Sequence, residues 1–231
     1  MAAKASVLNR VETVSIDTDT VQVSLNATVY SSSYKHKLTI HIRGVPIASE
    51  DDISWSTGTA QRTVTLSAET KEAVQKYMFE DKSVTATFVL ATDNGSTLID
   101  TSSKTATIRT KAANSAPLFL EFTCTDSNST TSAVTGGNPY YIQGYSTLKI
   151  APGTATSRNW SHVTKYTAVC NGVSVSNTDG GILTLGTIPK SGDITVKVRV
   201  TDSRGYTRRV SKTIPVIPND KPNVYSVTLR R

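Results

Sequence analysis

Cysteine, methionine, phenylalanine and histidine are scarce in this chain of 231 residues, which has 2 Cys, 2 Met, 4 Phe and 3 His. So few cysteines exclude a disulfide-rich scaffold. Whether Cys124 and Cys170 form one disulfide or remain two buried thiols is left open by their spacing. The histidines, at positions 36, 41 and 162, lack the spacing to other ligands that a metal site requires, so we expect no metal centre.

Several functional signatures are also missing. No apolar run approaches the length of a transmembrane helix, and no hydrophobic stretch follows the first residues, so we expect neither a membrane span nor a secretory signal in the sequence as given. No Gly-rich phosphate loop follows a strand, and no GxSxG motif is present. The acidic run Glu50–Asp52 fits a solvated loop better than a calcium site. We therefore expect no cofactor and no enzymatic activity.

Threonine and serine, by contrast, are abundant, with 36 Thr and 27 Ser, and valine outnumbers leucine. Threonine and valine are β-branched and favour strands, while serine favours turns and caps. This composition is typical of all-β proteins of extracellular or virion type.

Alternating hydrophobicity predicts strands throughout the first half. Apolar residues occupy every second position in Val21–Val29, in Leu38–Ile42 and again in Ser83–Thr92. One helix interrupts this pattern near residues 68–79, with Ser67 as its N-cap and an apolar stripe on one side. The segment Lys111–Pro117 has the composition of a linker.

A β-hairpin over Thr195–Pro218 is the clearest local structure in the second half. Valines alternate with basic residues along its first strand, and Asp202-Ser203-Arg204-Gly205 provides turn chemistry, with glycine placed where a positive φ is needed. The Ser/Thr/Gly-rich segment Asp126–Asn138 is predicted to be a long loop. Seven or so short strands in each ~110 residues are typical of an immunoglobulin-like sandwich.

These patterns predict an all-β fold of two tandem immunoglobulin-like or fibronectin-like β-sandwich domains, the first with one short helix. Domain one is expected to cover residues 1–114 and domain two residues 115–220. Residues 221–231 repeat the proline-then-strand pattern that starts at Pro117. They are predicted to form the first strand of a further domain, or a strand that docks on another sheet edge.

The formal net charge of +7 is concentrated in the second half, where residues 118–231 hold 13 basic and 6 acidic side chains. Many basic residues lie on the closing hairpin. Its candidate partner-binding residues are Arg199, Arg204, Arg208, Arg209 and Lys212. A basic ribbon of this kind fits a solvated strand face or an acidic protein partner better than nucleic acid, which we do not expect as a partner.

Aromatic residues in polar segments are the remaining binding signal. Trp160 lies between Asn159 and Ser161, and Tyr140 and Tyr141 follow the Ser/Thr/Gly-rich segment. Trp160, Tyr140 and Tyr141 are candidate carbohydrate-binding residues, since exposed aromatic rings can stack on sugars. The alternative is burial, because a sandwich normally buries a tryptophan and Trp55 and Trp160 both qualify.

Four segments carry a resemblance to a known group of proteins: Tyr140–Ile150, Val163–Thr167, Gly192–Thr207 and Lys221-Pro222. They resemble the repeating modules of minor structural proteins in tailed bacteriophages of Gram-positive bacteria. The first half looks like the module that usually precedes this one, through Tyr34–Leu38, Ile53–Trp55, the short helix and the hairpin that leads to the linker.

The resemblance implies a structural virion component, assembled in the bacterial cytoplasm, in a tail tip, a fibre or a host-attachment spacer. Its partners would be other virion structural proteins, including copies of itself. Two alternatives are kept: a carbohydrate-binding module that recognises host cell-wall glycan, and a capsid decoration protein.

Overall fold

The computed structural model describes residues 3–95, 97–136 and 140–219, and the chain in it forms two compact units. Unit 1 contains the chain up to Pro117 together with two short loops, Ser157–His162 and Asp202–Tyr206. The remaining segments form unit 2. The predicted domain limits at residues 114 and 220 stay predictions, and the strand predicted at 221–231 lies outside the described residues.

The described part of unit 1 consists of eight strands and two helices, of which one follows the sixth strand and the other follows the eighth. Its elements are β1 (Val7–Val11), β2 (Val14–Ser15), β3 (Gln22–Val29), β4 (Lys35–Ile42), β5 (Val45–Ser54), β6 (Gly58–Thr65), α1 (Ala68–Tyr77), β7 (Ser83–Asp93), β8 (Leu98–Arg109) and α2 (Ala112–Ser115). One sheet has the strand order β1-β3-β6 and the other β2-β8-β7-β4-β5, in which β2 runs parallel to β8.

Unit 2 repeats this arrangement. Its elements are β9 (Leu118–Phe119), β10 (Phe122–Asp126), α3 (Ser129–Val134), β11 (Tyr141–Ile142), β12 (Thr147–Pro152), β13 (Ala155–Thr156), β14 (Val163–Cys170), β15 (Val173–Asn177), β16 (Leu183–Thr187), β17 (Gly192–Asp202) and β18 (Thr207–Ile217). One sheet has the order β10-β12-β16 and a second has the order β11-β18-β17-β14-β15, with β11 parallel to β18. The short strands β9 and β13 pair antiparallel as a separate two-stranded sheet.

The shared strand order identifies the architecture. In each unit the opening segment contributes one strand, β1 or β10, to the three-stranded sheet. It then contributes a short strand, β2 or β11, to the five-stranded sheet, where it runs parallel to the strand that comes last in the sequence, β8 or β18. Two antiparallel sheets connected in this way form an immunoglobulin-like sandwich. The predicted all-β, immunoglobulin-like fold is therefore confirmed.

Alternation along the strands places one hydrophobic core inside each sandwich. In unit 1, Ile40 of β4 pairs with Phe88 of β7, and both side chains are buried. In unit 2, Val196, Val198 and Val200 of β17 all point into the core, as their spacing predicts. Burying an aliphatic side chain contributes about 1.5–3 kcal/mol, so these rows are the main source of stability in each unit.

Helix α1 begins where the sequence predicts. The Ser67 hydroxyl accepts a hydrogen bond from Thr70 N at 3.2 Å, which satisfies one of the free N–H groups of the first turn. Val74 and Met78 are fully buried in the core of unit 1. The predicted N-cap and apolar stripe are confirmed.

Two predicted loops differ from the structure. The composition of Asp126–Asn138 predicts a loop, yet the segment contains α3, because the Asn128 side chain caps the helix by accepting from Thr130 N at 3.0 Å. The expected linker Lys111–Pro117 likewise contains the one-turn helix α2. Among the described residues, no helix combines the length and apolar character needed to cross a bilayer.

Candidate interaction site

The turn Asp202–Tyr206 starts at the last residue of β17 and leads into β18, and it belongs to unit 1. Gly205 N donates to Asp202 O at 2.9 Å, and Tyr206 N donates to the Asp202 carboxylate at 2.7 Å. Gly205 has φ of +77°, in the left-handed region that favours glycine. The predicted roles of Asp202 and Gly205 in the turn are confirmed.

Arg204, at the centre of this turn, is only 4% exposed. Its guanidinium donates to Met78 O at 3.0 Å, Arg158 O at 3.2 Å, Gln75 O at 3.4 Å and Asn159 O. Two of these carbonyls lie at the C-terminal end of α1, where helix carbonyls lack partners within the helix. Burial lowers the pKa of Arg204 from its ordinary value, and nearby carboxylates oppose that shift.

Arg204 therefore satisfies backbone carbonyls inside unit 1 and is not on a solvent-facing surface. This corrects its prediction as a partner-binding residue. The physical reason is that the planar guanidinium forms charge-assisted hydrogen bonds to the carbonyls of a helix end and a neighbouring loop, and these replace its hydrogen bonds to water.

Two other side chains of the turn make similar contacts within unit 1. The Tyr206 hydroxyl donates to Thr110 O at 3.0 Å, and the Lys82 ammonium lies 4.9 Å from the centre of its ring. The Ser203 hydroxyl donates to Phe79 O. The turn is thus held at three of its side chains as well as through its backbone.

The other four basic candidates are exposed, but they do not form one ribbon. Arg209 lies directly opposite Arg199, on the outer face of the β17–β18 hairpin. Arg208 lies opposite Val200 and Lys212 opposite Val196, both of which point into the core. Paired residues of antiparallel strands share a face, so Arg208 and Lys212 project from the other side of the hairpin.

The outer face consequently carries a basic pair, Arg199 and Arg209, with Lys197 two residues before Arg199 on the same strand. Among the described residues, none of these three takes part in a salt bridge. Like charges placed directly opposite each other are destabilising. We call Lys197, Arg199 and Arg209 the basic face.

The candidate carbohydrate-binding residues separate into three different environments. Tyr141 is buried in the core of unit 2, so its prediction as a surface residue is wrong, because β11 pairs with β18 and turns the ring inward. Tyr140 is 47% exposed in unit 2. Trp160 is 51% exposed in unit 1, whereas Trp55 packs partly buried against the unit 1 core.

Both cysteines are free thiols that contact the core of unit 2. Burial raises the pKa of Cys124 to about 11 and also raises that of Cys170. A thiol with so high a pKa is a weak nucleophile at neutral pH. In the described part of the chain, no group of three or more His, Cys, Asp or Glu side chains is placed to hold a metal ion.

One charged cavity could not be predicted from the sequence. Asp17 and Asp19, in the loop between β2 and β3, lie with Lys71 of α1 around a cavity that also contacts the loop Ser157–His162 of unit 1. These residues are far apart in the sequence and form no motif. Only the fold brings them together.

Solved structures with similar folds include the fibronectin(III)-like modules of Clostridium thermocellum CbhA, at 14% identity and a TM-score of 0.35, where the match covers 95% of this chain and 100% of that one. Immunoglobulin domains 1–4 of Sidekick-1 match at 10% identity and a TM-score of 0.41, over 94% of this chain and 50% of that one. Tandem immunoglobulin repeats of Dlar match at 13% identity and a TM-score of 0.29, over 94% and 100%.

A comparison with curated proteins found no match. A family model described as "Siphovirus protein of unknown function (DUF859)" matches residues 4–228. The match spans both units, in agreement with the resemblance of the sequence to proteins of tailed bacteriophages. The chain belongs to this family of siphovirus proteins.

Proposed function

We propose that this chain is a structural component of a siphovirus particle and serves as a spacer in the tail tip, in a fibre or in a host-attachment assembly. The observation that carries the proposal is the repetition of one sandwich topology in both units of a siphovirus protein. Sandwiches of this kind act by holding binding elements at fixed distances, and they use loops and strand edges for recognition. The proposal includes no catalytic activity.

The basic face supports a protein partner within the particle. Arg199 and Arg209 are exposed and directly opposed, so the isolated chain retains a repulsion that an acidic neighbour would remove. The proposed partner is an acidic surface on another structural protein or on a second copy of this chain. Nucleic acid and membranes are not among the proposed partners.

The position in the particle is tested by labelling purified virions with an antibody against the chain and imaging them by electron microscopy. Label confined to the tail or its tip is the expected result. Label on the capsid lattice would support the decoration-protein alternative and contradict the tail proposal. Particles that carry no label, with detectable antigen in the lysate, would refute a virion role.

The contribution of the basic face is tested by the double variant Arg199→Glu/Arg209→Glu in the phage. Incorporation of the chain into particles is expected to fall, because the variant places negative charge against an acidic neighbour. Lys165→Glu/Lys190→Glu is the matched control, since both lysines are exposed in unit 2 but lie outside the hairpin. Equal incorporation of the double variant and the control would refute the proposed contact.

A further inference from the structure

A polar groove runs along one side of unit 1. Two cavities of about 530 Å³ and 550 Å³ open there, and they adjoin each other, because Asp19 and Lys71 line both. We call the two together the groove. The first also contacts Asp17 and Asn159, and the second contacts Trp160. All of these residues belong to unit 1. Each volume falls in the range of about 300–1,000 Å³ that small-molecule sites have.

Trp160 is presented to this groove by a strained backbone. Asn159 has φ of +50° and Trp160 has φ of +65°, a conformation that is uncommon for any residue with a side chain and an outlier for one as bulky as tryptophan. Such conformations persist only where the surroundings enforce them, and they cluster at ligand sites.

The surroundings that enforce it are hydrogen bonds within unit 1. The Asn159 side chain donates to Ser115 Oγ at 3.0 Å and to Asn114 O at 3.3 Å. Arg204 donates to Asn159 O, and the Ser161 hydroxyl donates to the carbonyl of residue 158 at 2.8 Å. These hydrogen bonds hold the loop in a conformation that leaves the indole half exposed and keeps it out of the core.

The indole also contacts an ion pair on α1, formed by Lys76 and Glu72. The Lys76 ammonium lies 4.2 Å from the centre of the Trp160 ring, and it is 2.7 Å from a carboxylate oxygen of Glu72. A cation over an aromatic face is worth about 0.5–1 kcal/mol at an exposed site. The ring is therefore pre-organised before any ligand arrives.

The charges around the groove are balanced, which limits the class of ligand. The acidic side chains are Asp17, Asp19 and Glu72, and the basic ones are Lys71, Lys76 and Arg158. A phosphate or a metal ion would meet three charges of its own sign. The Lys71 ammonium also donates to the carbonyls of residues 18 and 19, at 2.7 Å and 3.2 Å.

One buried acceptor in the groove lacks a partner. Asp17 is 8% exposed, and its Oδ2 accepts from Lys111 N and from the Ser115 hydroxyl, yet its Oδ1 has no hydrogen-bond partner among the described residues. A buried carboxylate oxygen without a donor is unfavourable by about 1–3 kcal/mol. The oxygen itself is fully buried, so it belongs to the wall of the groove and not to its open surface.

We infer that this groove binds a neutral saccharide, with one sugar ring stacked on the face of the Trp160 indole that Lys76 does not cover. The exposed Asp19 carboxylate accepts from sugar hydroxyls, and the third N–H of the Lys71 ammonium donates to a ring or hydroxyl oxygen. An aromatic platform beside mixed donors and acceptors without net charge suits uncharged, polyhydroxylated ligands. The saccharide site is independent of where in the particle the chain resides.

The test begins with the purified full chain on an array of neutral and anionic oligosaccharides, followed by titration with the best neutral trisaccharide. Trp160→Ala is expected to weaken binding by about tenfold or more, and Asp19→Ala by a smaller factor. Tyr30→Ala is the matched control, because Tyr30 is 41% exposed in unit 1, carries Lys4 at 4.2 Å from its ring centre and lines neither cavity. The affinity of Tyr30→Ala for the saccharide should equal that of the unmodified chain.

Fluorescence provides a second readout, since the chain has 2 tryptophans. Trp55→Phe should retain the change in emission on adding saccharide, and Trp160→Phe should lose it. The inference is overturned if no neutral glycan on the array is bound. It is also overturned if Trp160→Ala and Tyr30→Ala bind equally well while their thermal unfolding matches that of the unmodified chain.

Discussion

Removal of the Arg204 side chain should destabilise unit 1 far more than removal of any exposed arginine. The substitution Arg204→Ala removes a charge-assisted donor from four carbonyls. Met78 O keeps a hydrogen bond from Asp81 N, and Arg158 O keeps one from the Ser161 hydroxyl. Hydrogen bonds to charged groups contribute about 1.5–3 kcal/mol each, and the carbonyls left without this donor bring the expected loss to about 3–5 kcal/mol.

Tryptophan fluorescence measures this loss in the full chain, because both tryptophans, Trp55 and Trp160, belong to unit 1. With a urea dependence of about 2 kcal/mol/M, the unfolding midpoint should fall by about 1.5–2.5 M. The unfolding midpoint of Arg204→Lys should lie between those of the unmodified chain and Arg204→Ala, because an ammonium keeps the charge but lacks the planar set of donors of a guanidinium.

Arg109→Ala is the control, since Arg109 is exposed and lies in unit 1, on which both tryptophans report. Its free energy of unfolding should change by no more than about 0.5 kcal/mol. A shift for Arg204→Ala as small as that of Arg109→Ala would refute the reasoning that the buried guanidinium holds the turn, the helix end and the loop together.

Three further outcomes follow from burial and charge. Burial lowers the pKa of His36 below its ordinary value of 6.5, so protonation of this side chain favours the unfolded state. Unit 1 should therefore lose stability as the pH falls below about 6.5. In urea titrations at several pH values, His36→Gln should reduce this loss. Native Cys124 and Cys170 should react slowly with a thiol reagent at neutral pH, and both should react after denaturation. Arg209→Glu should stabilise unit 2 by about 0.5 kcal/mol, because it converts a repulsive pair with Arg199 into an attractive one.

Each of these has a result that would contradict it. A stability that does not change between pH 7.5 and 5.5 would show that His36 accepts a proton without penalty. Rapid, stoichiometric labelling of the native thiols would contradict their burial. Loss of stability in Arg209→Glu, measured by circular dichroism, would contradict the like-charge account, and Lys190→Glu serves as its control for net charge.

Strands with one face in the core could be predicted from the sequence, because alternation records burial directly. The rows of β3, β4, β7 and β17 are examples. Edge strands were predicted less completely. β5 is partly exposed along its length, so its sequence does not alternate.

β15 was missed although the sequence carries its signal. Asn171-Gly172 joins β14 to β15, and both residues have positive φ, as a two-residue hairpin turn requires. Arg43-Gly44 makes the same kind of turn between β4 and β5 of unit 1. The recurrence of the turn at the same place in both units strengthens the case that one module was repeated.

The environment of Arg204 could not be predicted, because it depends on contacts over long sequence separations. Its bond to Met78 O spans 126 positions and its bond to Asn159 O spans 45. A run of basic residues on a hairpin indicates a basic surface, and only the folded chain shows that one member of the run turns inward. The same holds for Trp160, whose exposure is set by a loop conformation that no local pattern encodes.

The proposed virion role is tested most directly by quantitative mass spectrometry of gradient-purified phage particles. The chain is expected in the particles at a fixed ratio to known tail proteins, and it should remain there after a high-salt wash that removes loosely adsorbed proteins. Its absence from purified particles, combined with abundance in the lysate of infected cells, would contradict the proposal.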